Sequence, residues 1–266
     1  MIGIFDSGVG GMTVARSIEQ LLPTYPLLYL GDIAHSPYGP KSAQTIIDCA
    51  INNTRFLISK GAKLIVIACN SAASVATDSL RQQFQIPIIE VILPAIEEAA
   101  RTTKNGRIGL IGTSATIRST SYETALTEIN QNIKIFTKAC PLLVPLVEEG
   151  WHNKRETKMI LKRYLHSLKN NQLDTLILGC THYPLLKHLI GPRIGKKVSL
   201  VDSSETTAKY LKHYLHQNPH LKATEPHTPE QNRYYITDYN DTAQKVANRI
   251  FNRHIDLLLT RNICKS

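Results

Sequence analysis

Two apolar segments that each end in a cysteine constrain this sequence more than any other feature. The first segment is LIVIA at positions 64–68, and the second is TLILG at positions 175–179. Runs of this length without a charged residue indicate strands that are buried on both faces of a sheet. Three polar or reactive residues follow each run: Cys69, Asn70 and Ser71 after the first, and Cys180, Thr181 and His182 after the second. Ligands of open α/β sheets bind outside the carboxyl ends of the strands, so both triplets are candidate site residues.

The spacing of these segments indicates an internal repeat. The two cysteines are 180 − 69 = 111 positions apart, and Gly3 and Gly109 occupy similar short apolar runs 109 − 3 = 106 positions apart. Strands alternate with helical patterns throughout, which is typical of parallel sheets covered by helices. We therefore predict an α/β fold of two similar domains with mainly parallel sheets, related by a pseudo-twofold axis, with the active site in the cleft between them. The predicted domains are residues 1–93 plus 206–266, which carry Asp6 and Cys69, and residues 94–205, which carry Cys180.

Apolar periodicity and breaker residues set the predicted element boundaries. A strand is predicted at 88–92, bracketed by Pro87 and Pro94, and a helix at 72–84 after the first cysteine. The charged segment 154–169 is predicted to be a helix, and Pro184 to begin another. After a polar linker at 218–229, a strand at 233–237 and a helix at 241–251 are expected to return to the first domain. The residues after Leu259 carry no interpretable pattern.

A glycine-rich turn follows the first predicted strand. The motif D-S-G-x-G-G runs from Asp6 to Gly11 and precedes a helical pattern that begins at Met12. Glycines between a strand and a helix allow a tight turn, and the free N–H groups of the helix start attract anions. The spacing fits neither a P-loop nor a dinucleotide fingerprint. The turn is therefore interpreted as an anion-binding loop with one ionisable group, Asp6, which could alternatively serve only as a helix cap.

Composition limits the compartment and the partners. Five cysteines without a C-x-x-C pair predict free thiols in a reducing cytoplasm, and no metal-ligand spacing is present. No segment reaches the apolar length of a membrane span, and no signal peptide precedes the first strand. The net charge of +10 fits either attraction of a small anionic substrate or nucleic-acid binding. The basic residues are dispersed without interleaved aromatics, which favours the small anion.

Two thiols in one cleft suit a specific reaction. A cysteine can act as a nucleophile, a metal ligand or an acid/base group. A nucleophile needs only one sulfur, whereas inversion of a stereocentre by two bases needs one group on each face of the substrate. The sequence therefore favours two-base proton transfer, with Cys69 and Cys180 as the pair. Hydrolysis or decarboxylation with one working cysteine is the alternative within enzymes, and a basic regulatory protein on the same fold is the alternative outside them.

Five motifs in order resemble those of glutamate racemases over essentially the whole chain. They are D-S-G-x-G-G from Asp6, S-P-Y-G from Ser36, A-C-N-S from Ala68, P-L-V-E from Pro145 and G-C-T-H-Y-P from Gly179. One departure is Ser71, where the family more often has threonine; the hydroxyl is retained. The paired cysteines alone are shared with aspartate and hydantoin racemases.

The resemblance implies an activity, partners and a set of site residues. It implies racemisation of L- and D-glutamate without a cofactor or metal, supply of D-glutamate for peptidoglycan, a cytoplasmic location and a homodimer that needs neither membrane nor nucleic acid. Cys69 and Cys180 are implied as acid/base catalysts, with Asp6 beside Cys69, and His182 with Glu148 beside Cys180. The implied substrate-binding residues are Asp6, Ser7, Tyr38, Gly39, Asn70, Ser71, Thr181 and His182.

Simpler interpretations of several residues stay open at this stage. His182 could be a buried histidine bonded to backbone, Tyr38 could only pack a loop, and Glu148 could be a solvated acid at a helix end. Glu149 competes with Glu148 for the same role. Two further cysteines, Cys49 and Cys140, are assigned to packing.

Overall fold

A computed structural model describes residues 1–222 and 227–260. Its strands, in chain order, are β1 (Ile2–Asp6), β2 (Leu27–Gly31), β3 (Leu64–Ile67), β4 (Ile88–Glu90), β5 (Arg107–Gly112), β6 (Lys134–Ala139), β7 (Thr175–Gly179), β8 (Ser199–Asp202), β9 (Arg233–Ile236) and β10 (Leu257–Leu259). The predicted linker at 218–229 lies partly outside the described residues, as does most of the tail after Leu259.

Helices connect the strands on both sides of the sheets. They are α1 (Met12–Leu21), α2 (Ala43–Ser59), α3 (Asn70–Gln83), α4 (Ile92–Thr102), α5 (Ser114–Arg118), α6 (Ser121–Ile129), α7 (Leu143–Glu148), α8 (Arg155–Lys169), α9 (Lys187–Ile194), α10 (Ser203–Gln217) and α11 (Asp241–Phe251). Short 3₁₀ turns occur at Ile33–His35, Tyr183–Leu186, Pro219–Leu221 and Pro229–Gln231. None of the helices in these ranges has the length and apolar character that crossing a membrane requires.

The strands form two parallel sheets, which confirms the predicted α/β class. The first sheet has the order β10-β9-β2-β1-β3-β4, and the second has the order β6-β5-β7-β8. The segment β2-β1-β3-β4 thus has the same strand order as the whole second sheet. β9 pairs with β2, so the end of the chain returns to the first sheet. The predicted residue boundaries of the two domains stay a prediction, and the one at 205/206 falls inside α10.

The strand register places the two cysteines at equivalent positions. Gly3 is paired with Ile65, and Gly109 is paired with Leu176. Cys69 follows Ile65 by 69 − 65 = 4 residues, and Cys180 follows Leu176 by 180 − 176 = 4 residues. Since β3 and β7 occupy the same place in their sheets, each thiol emerges at the carboxyl end of the same strand of the repeat.

The predicted strand at 88–92 was too long, and its correction explains the course of the chain. The strand ends at Glu90, and α4 begins at Ile92. The Glu90 carboxylate accepts hydrogen bonds from the backbone N–H groups of Ile92 and Leu93, which satisfies two donors of the helix start. Pro94 lies in the first turn of α4, where its missing N–H costs no intrahelical bond. A proline that looked like a terminator is therefore part of a helix start.

The helix after the first cysteine begins two residues earlier than predicted. α3 starts at Asn70 directly after Cys69, which is its N-cap residue. The N–H groups of the first turn therefore lie beside the thiol and the two polar residues that follow it. A helix of fourteen residues carries partial positive charge at this end. The early start makes this end of β3 a site for anions.

Candidate active site

Loops from both sheets enclose one cavity of about 160 Å³. Its volume suits a small metabolite. Both Cys69 and Cys180 line it, so the two thiols from equivalent strands meet in one space. The other predicted residues on its wall are Ser7, Tyr38, Gly39, Asn70, Ser71, Thr181 and His182.

Asp6 lies behind this wall rather than on it. Its carboxylate is completely buried and accepts from the Gly8 N–H (3.0 Å) and from the Thr181 hydroxyl (3.3 Å). Burial raises the pKa of Asp6, while the charge of His182 and the hydrogen bonds oppose the rise. The helix cap of α1 is Gly11, so Asp6 is not simply a cap residue. Its bond to Thr181 joins the first sheet to the loop that carries Cys180.

The Cys69 thiol is buried and faces a hydroxyl. It donates to Ser7 Oγ, with the sulfur 3.6 Å from that oxygen. Burial and, second to it, the negative charge of Asp6 raise the pKa of Cys69 to about 12. Both causes favour the protonated thiol over the thiolate.

The Cys180 side carries a histidine and a carboxylate in line. His182 Nδ1 lies 3.9 Å from Cys180 Sγ, and His182 Nε2 lies 3.0 Å from Glu148 Oε1. Burial disfavours the charged imidazole, but the bonds to Cys180 and Glu148 outweigh burial and raise the pKa of His182 to about 10. An imidazolium held in this way can exchange a proton with the Cys180 sulfur. The His182 ring thus bonds to the side chains of Cys180 and Glu148.

Loss of the Glu148 carboxylate is expected to lower the pKa of His182. A bond that favours the protonated imidazole is removed in Glu148→Gln, so the ring titrates at lower pH than in the unchanged protein. Because the folded pKa is raised, the contacts of the imidazolium with Cys180 and Glu148 together stabilise the fold fully below pH 6.5, and this stabilisation is lost as pH rises through about 10. NMR titration of the His182 ring measures the shift. Glu149→Gln is the matched control, and an equal shift in that variant would contradict the pairing.

The glycines of the first motif are explained by close packing against the site. A Cβ atom on Gly10 would lie 2.4 Å from His182 Nδ1, and a Cβ on Gly11 would lie 2.3 Å from the Asp6 Cβ. Both distances are far below van der Waals contact. Only glycine therefore lets this turn contact the imidazole and the buried carboxylate at the same time.

A methyl group at Gly10 is expected to damage catalysis more than folding. Gly10→Ala must displace His182, and an ångström of misplacement at a reacting group lowers kcat by about 100-fold. The control is Gly8→Ala, because a Cβ there meets Ser36 Oγ at 3.4 Å, an ordinary contact. Steady-state kinetics and a thermal melt of both variants check this. Equal kcat values for the two variants would contradict the packing argument.

Hydroxyl groups and an amide line the end of the cavity nearest α3. Ser71 Oγ lies 2.8 Å from Thr113 Oγ1, so the first sheet contacts the loop after β5 here. Asn70 is almost fully buried, and its Nδ2 has no partner among the described residues. Together with the N-terminus of α3, these donors can hold a carboxylate.

The Tyr38 side chain supports the wall through its ring. Its hydroxyl points away from the cavity and donates to Asp32 Oδ2 at 2.5 Å, and it accepts from Asn53 Nδ2 at 3.1 Å. Asp32, His35 and Cys49 also form the one group of described residues whose ligand atoms lie close enough to hold a metal ion, within 4.8 Å of one another. The same Asp32 carboxylate accepts from Tyr38, Thr237 and the His35 ring, and these bonds account for its burial.

Comparison with known proteins decides the family. The sequence model of the Asp/Glu/Hydantoin racemases matches residues 2–211. The chain belongs to this racemase family. It is 44% identical over 265 residues to a glutamate racemase of Persephonella marina, covering 99% of this chain and 98% of that protein. These matches confirm the resemblance inferred from the five motifs.

Solved structures of racemases agree with the fold. A glutamate racemase isoform from Bacillus anthracis superposes with a TM-score of 0.93 at 36% identity, covering 100% of this chain and 98% of that one. A glutamate racemase from Francisella tularensis, solved in complex with D-glutamate, gives a TM-score of 0.91 at 34% identity with the same coverage.

Several wall residues of this racemase family member were not predicted from its sequence. They are Ser36, Pro37, Pro40, Thr113, Ser114, Pro141, Val144 and Pro145. Thr113 had a usable signal, because the repeat aligns it with Ser7 at the end of β1. Residues 141–144 carried none, since they only lead into a short helix, whereas Pro145 opens the P-L-V-E motif. Glu148 and Asp6 were predicted and lie behind the wall, each bonded to a residue that lines it.

Proposed function

We propose that this racemase interconverts L- and D-glutamate without a cofactor, using Cys69 and Cys180 as two opposed acid/base groups. The observation that carries the proposal is the meeting of two thiols from equivalent strand ends in one small cavity. The names of the relatives support glutamate as the substrate. Racemase activity itself follows from family membership.

The reaction needs one proton removed and one delivered. A thiolate on one face takes the α-proton of glutamate, and the thiol on the other face gives its proton to the resulting carbanion. The product is the opposite enantiomer, and the two sulfurs have exchanged protonation states. His182 accepts or returns a proton at Cys180, with Glu148 holding the ring. On the other face of the substrate the buried Cys69 thiol is the second acid/base group, with Asp6 beside it.

The substrate carboxylates are assigned to the donors of the cavity wall. Ser7, Asn70, Ser71 and Thr181 offer hydroxyl and amide groups, and the N–H groups that begin α3 add partial positive charge. Tyr38 and Gly39 shape the opposite part of the wall. We assign the ammonium group to the neighbourhood of the buried Asp6 carboxylate, which accepts from the wall residue Thr181.

The test is a chiral assay with purified protein. L-glutamate, D-glutamate and L-aspartate are incubated separately with protein dialysed against a chelator, and the enantiomers are resolved by chromatography. The proposal predicts that both glutamate enantiomers approach a 1:1 mixture and that aspartate does not. Inversion of aspartate alone, or activity that returns only with added pyridoxal phosphate or metal, would contradict it.

We extend the proposal to a cellular role, supply of D-glutamate for peptidoglycan by a cytoplasmic homodimer. Depletion of the protein in its host is then expected to stop growth unless D-glutamate is added. Light scattering at several protein concentrations tests the dimer. Growth arrest that D-glutamate does not relieve would contradict the role.

A further inference from the structure

A tyrosine outside the cavity donates a hydrogen bond to one of the residues that line it. The Tyr122 hydroxyl donates to Asn70 Oδ1 at 2.7 Å, and both side chains are almost completely buried. Tyr122 belongs to α6, which follows the second sheet's β5, whereas Asn70 begins α3 after the first sheet's β3. The bond therefore joins the two halves of the repeat directly behind the cavity wall.

The amino end of the same Asn70 amide has no hydrogen-bond partner among the described residues. Asn70 Nδ2 is buried and has no acceptor among the described residues, although Asn70 lines the cavity. A buried donor without a partner is unfavourable, and such groups are rare in folded proteins. An acceptor supplied by a bound ligand removes this cost. The hydroxyls of Ser71 and Thr113, which also line the cavity, bond to each other.

The phenol decides which end of the amide faces the ligand. An asparagine amide has an acceptor on one side and donors on the other. Burial raises the pKa of the Tyr122 phenol well above its ordinary value, so the hydroxyl keeps its proton to donate. With Oδ1 engaged by that proton, Nδ2 is the end of the amide that remains to donate to a ligand.

We propose that Tyr122 is a positioning residue that orients the Asn70 amide to donate to a carboxylate of the substrate. The inference rests on the proposed function, because glutamate supplies the carboxylate. Tyr122 contacts neither thiol in this scheme and acts through Asn70 alone. Its contribution is therefore to substrate binding more than to the proton transfers.

The first test is Tyr122→Phe, which removes one hydroxyl and leaves the ring in place. We expect KM for both glutamate enantiomers to rise about tenfold, the effect of one ordinary buried hydrogen bond, with a smaller change in kcat. The matched control is Tyr234→Phe. Tyr234 is buried and donates to Glu19 Oε2 at 2.9 Å, so this variant also loses a buried tyrosine hydrogen bond, but away from the cavity. The melting temperature of Tyr234→Phe is expected to fall, as is that of Tyr122→Phe, while the KM of Tyr234→Phe for glutamate stays unchanged.

A double-mutant cycle tests whether Tyr122 acts through Asn70. Asn70→Ala is expected to raise KM at least as much as Tyr122→Phe does, and the hydroxyl loss is expected to have no further effect in the Asn70→Ala background. An equal effect of Tyr122→Phe in both backgrounds would overturn the inference. So would a Tyr122→Phe enzyme with the KM of the unchanged protein.

A second variant tests which end of the Asn70 amide faces the substrate. Its result can be interpreted even if Tyr122→Phe does not fold. Asn70→Asp keeps an acceptor for Tyr122 and replaces the donor by a carboxylate oxygen that faces the substrate carboxylate. We expect weaker glutamate binding than in Asn70→Ala, measured by calorimetry with D-glutamate. Equal or tighter binding would overturn the inference. If the unchanged protein does not racemise glutamate, the proposed function and this inference both fail; if it does, the variants test the inference alone.

Discussion

Glutamate racemisation is expected to fall by about 10²–10⁴-fold when either Cys69 or Cys180 is replaced by serine, the range that one general acid/base group contributes. In the proposed mechanism each thiol serves one face of the substrate, so loss of either one blocks inversion in both directions. A serine hydroxyl is close to a thiol in size but far too weakly acidic to act as this base. The loss is therefore chemical, and the melting temperature is expected to change little.

Two other buried cysteines provide the control for this result. Cys49 and Cys140 are buried cysteines that do not line the cavity. Cys140→Ser is expected to retain inversion, even if it melts at a lower temperature. Chiral chromatography after a fixed incubation compares the three variants. Inversion at the unchanged rate in Cys69→Ser or Cys180→Ser would contradict the assignment of that thiol.

Removal of His182 is expected to be the next most damaging change. His182→Gln keeps a polar side chain but cannot carry a proton to or from Cys180 Sγ, so kcat is expected to fall by about 100-fold or more. The loss of rate is expected to differ between the L-to-D and the D-to-L reaction. The enantiomer whose α-proton Cys180 removes should be turned over more slowly in single-turnover measurements than the other enantiomer.

Replacement of Glu148, the partner of His182, shows how much of the His182 contribution to kcat depends on the carboxylate that holds the ring. Glu148→Gln leaves the imidazole in place and removes only the carboxylate that holds it, so its kcat is expected to lie between those of His182→Gln and the unchanged enzyme. Glu148 is about one-third exposed, which limits the electrostatic part of its contribution. A Glu148→Gln enzyme slower than His182→Gln would contradict this order.

The positions of the two cysteine-bearing strand ends could be predicted because they depend on local pattern. β3 and β7 are buried on both faces, and such strands give continuous apolar runs that a sequence displays directly. The repeat then places Cys69 and Cys180 at equivalent ends before any contact is known. Both thiols line the same cavity, as that argument predicts.

Contacts between distant segments could not be predicted in the same way. Tyr122 and Asn70 are 52 residues apart, and the aromatic position gives no sign that its hydroxyl reaches a cavity residue of the other sheet. Tyr38 was assigned to the substrate from its motif, but its hydroxyl bonds to Asp32 behind the wall. A motif identifies the segment, whereas tertiary packing decides which end of a side chain faces the ligand.

Short helices were the main error of the predicted elements. α5 and α7 have five and six residues, too few for an apolar period to repeat. α7 nevertheless carries Glu148 at its end and contributes Val144 and Pro145 to the cavity wall. α4 was missed because Pro94 suggested an end, although a first-turn proline is compatible with a helix. Elements of this kind depend on capping contacts, such as that of Glu90, more than on periodicity.

The exchange of the α-hydrogen in D₂O tests the central claim most directly. Proton NMR of L- and D-glutamate follows that signal with Cys69→Ser and Cys180→Ser separately. If each thiol serves one face, each variant exchanges the α-hydrogen of one enantiomer without inverting it, and the two variants act on opposite enantiomers. Exchange of the same enantiomer by both variants would contradict two opposed thiols.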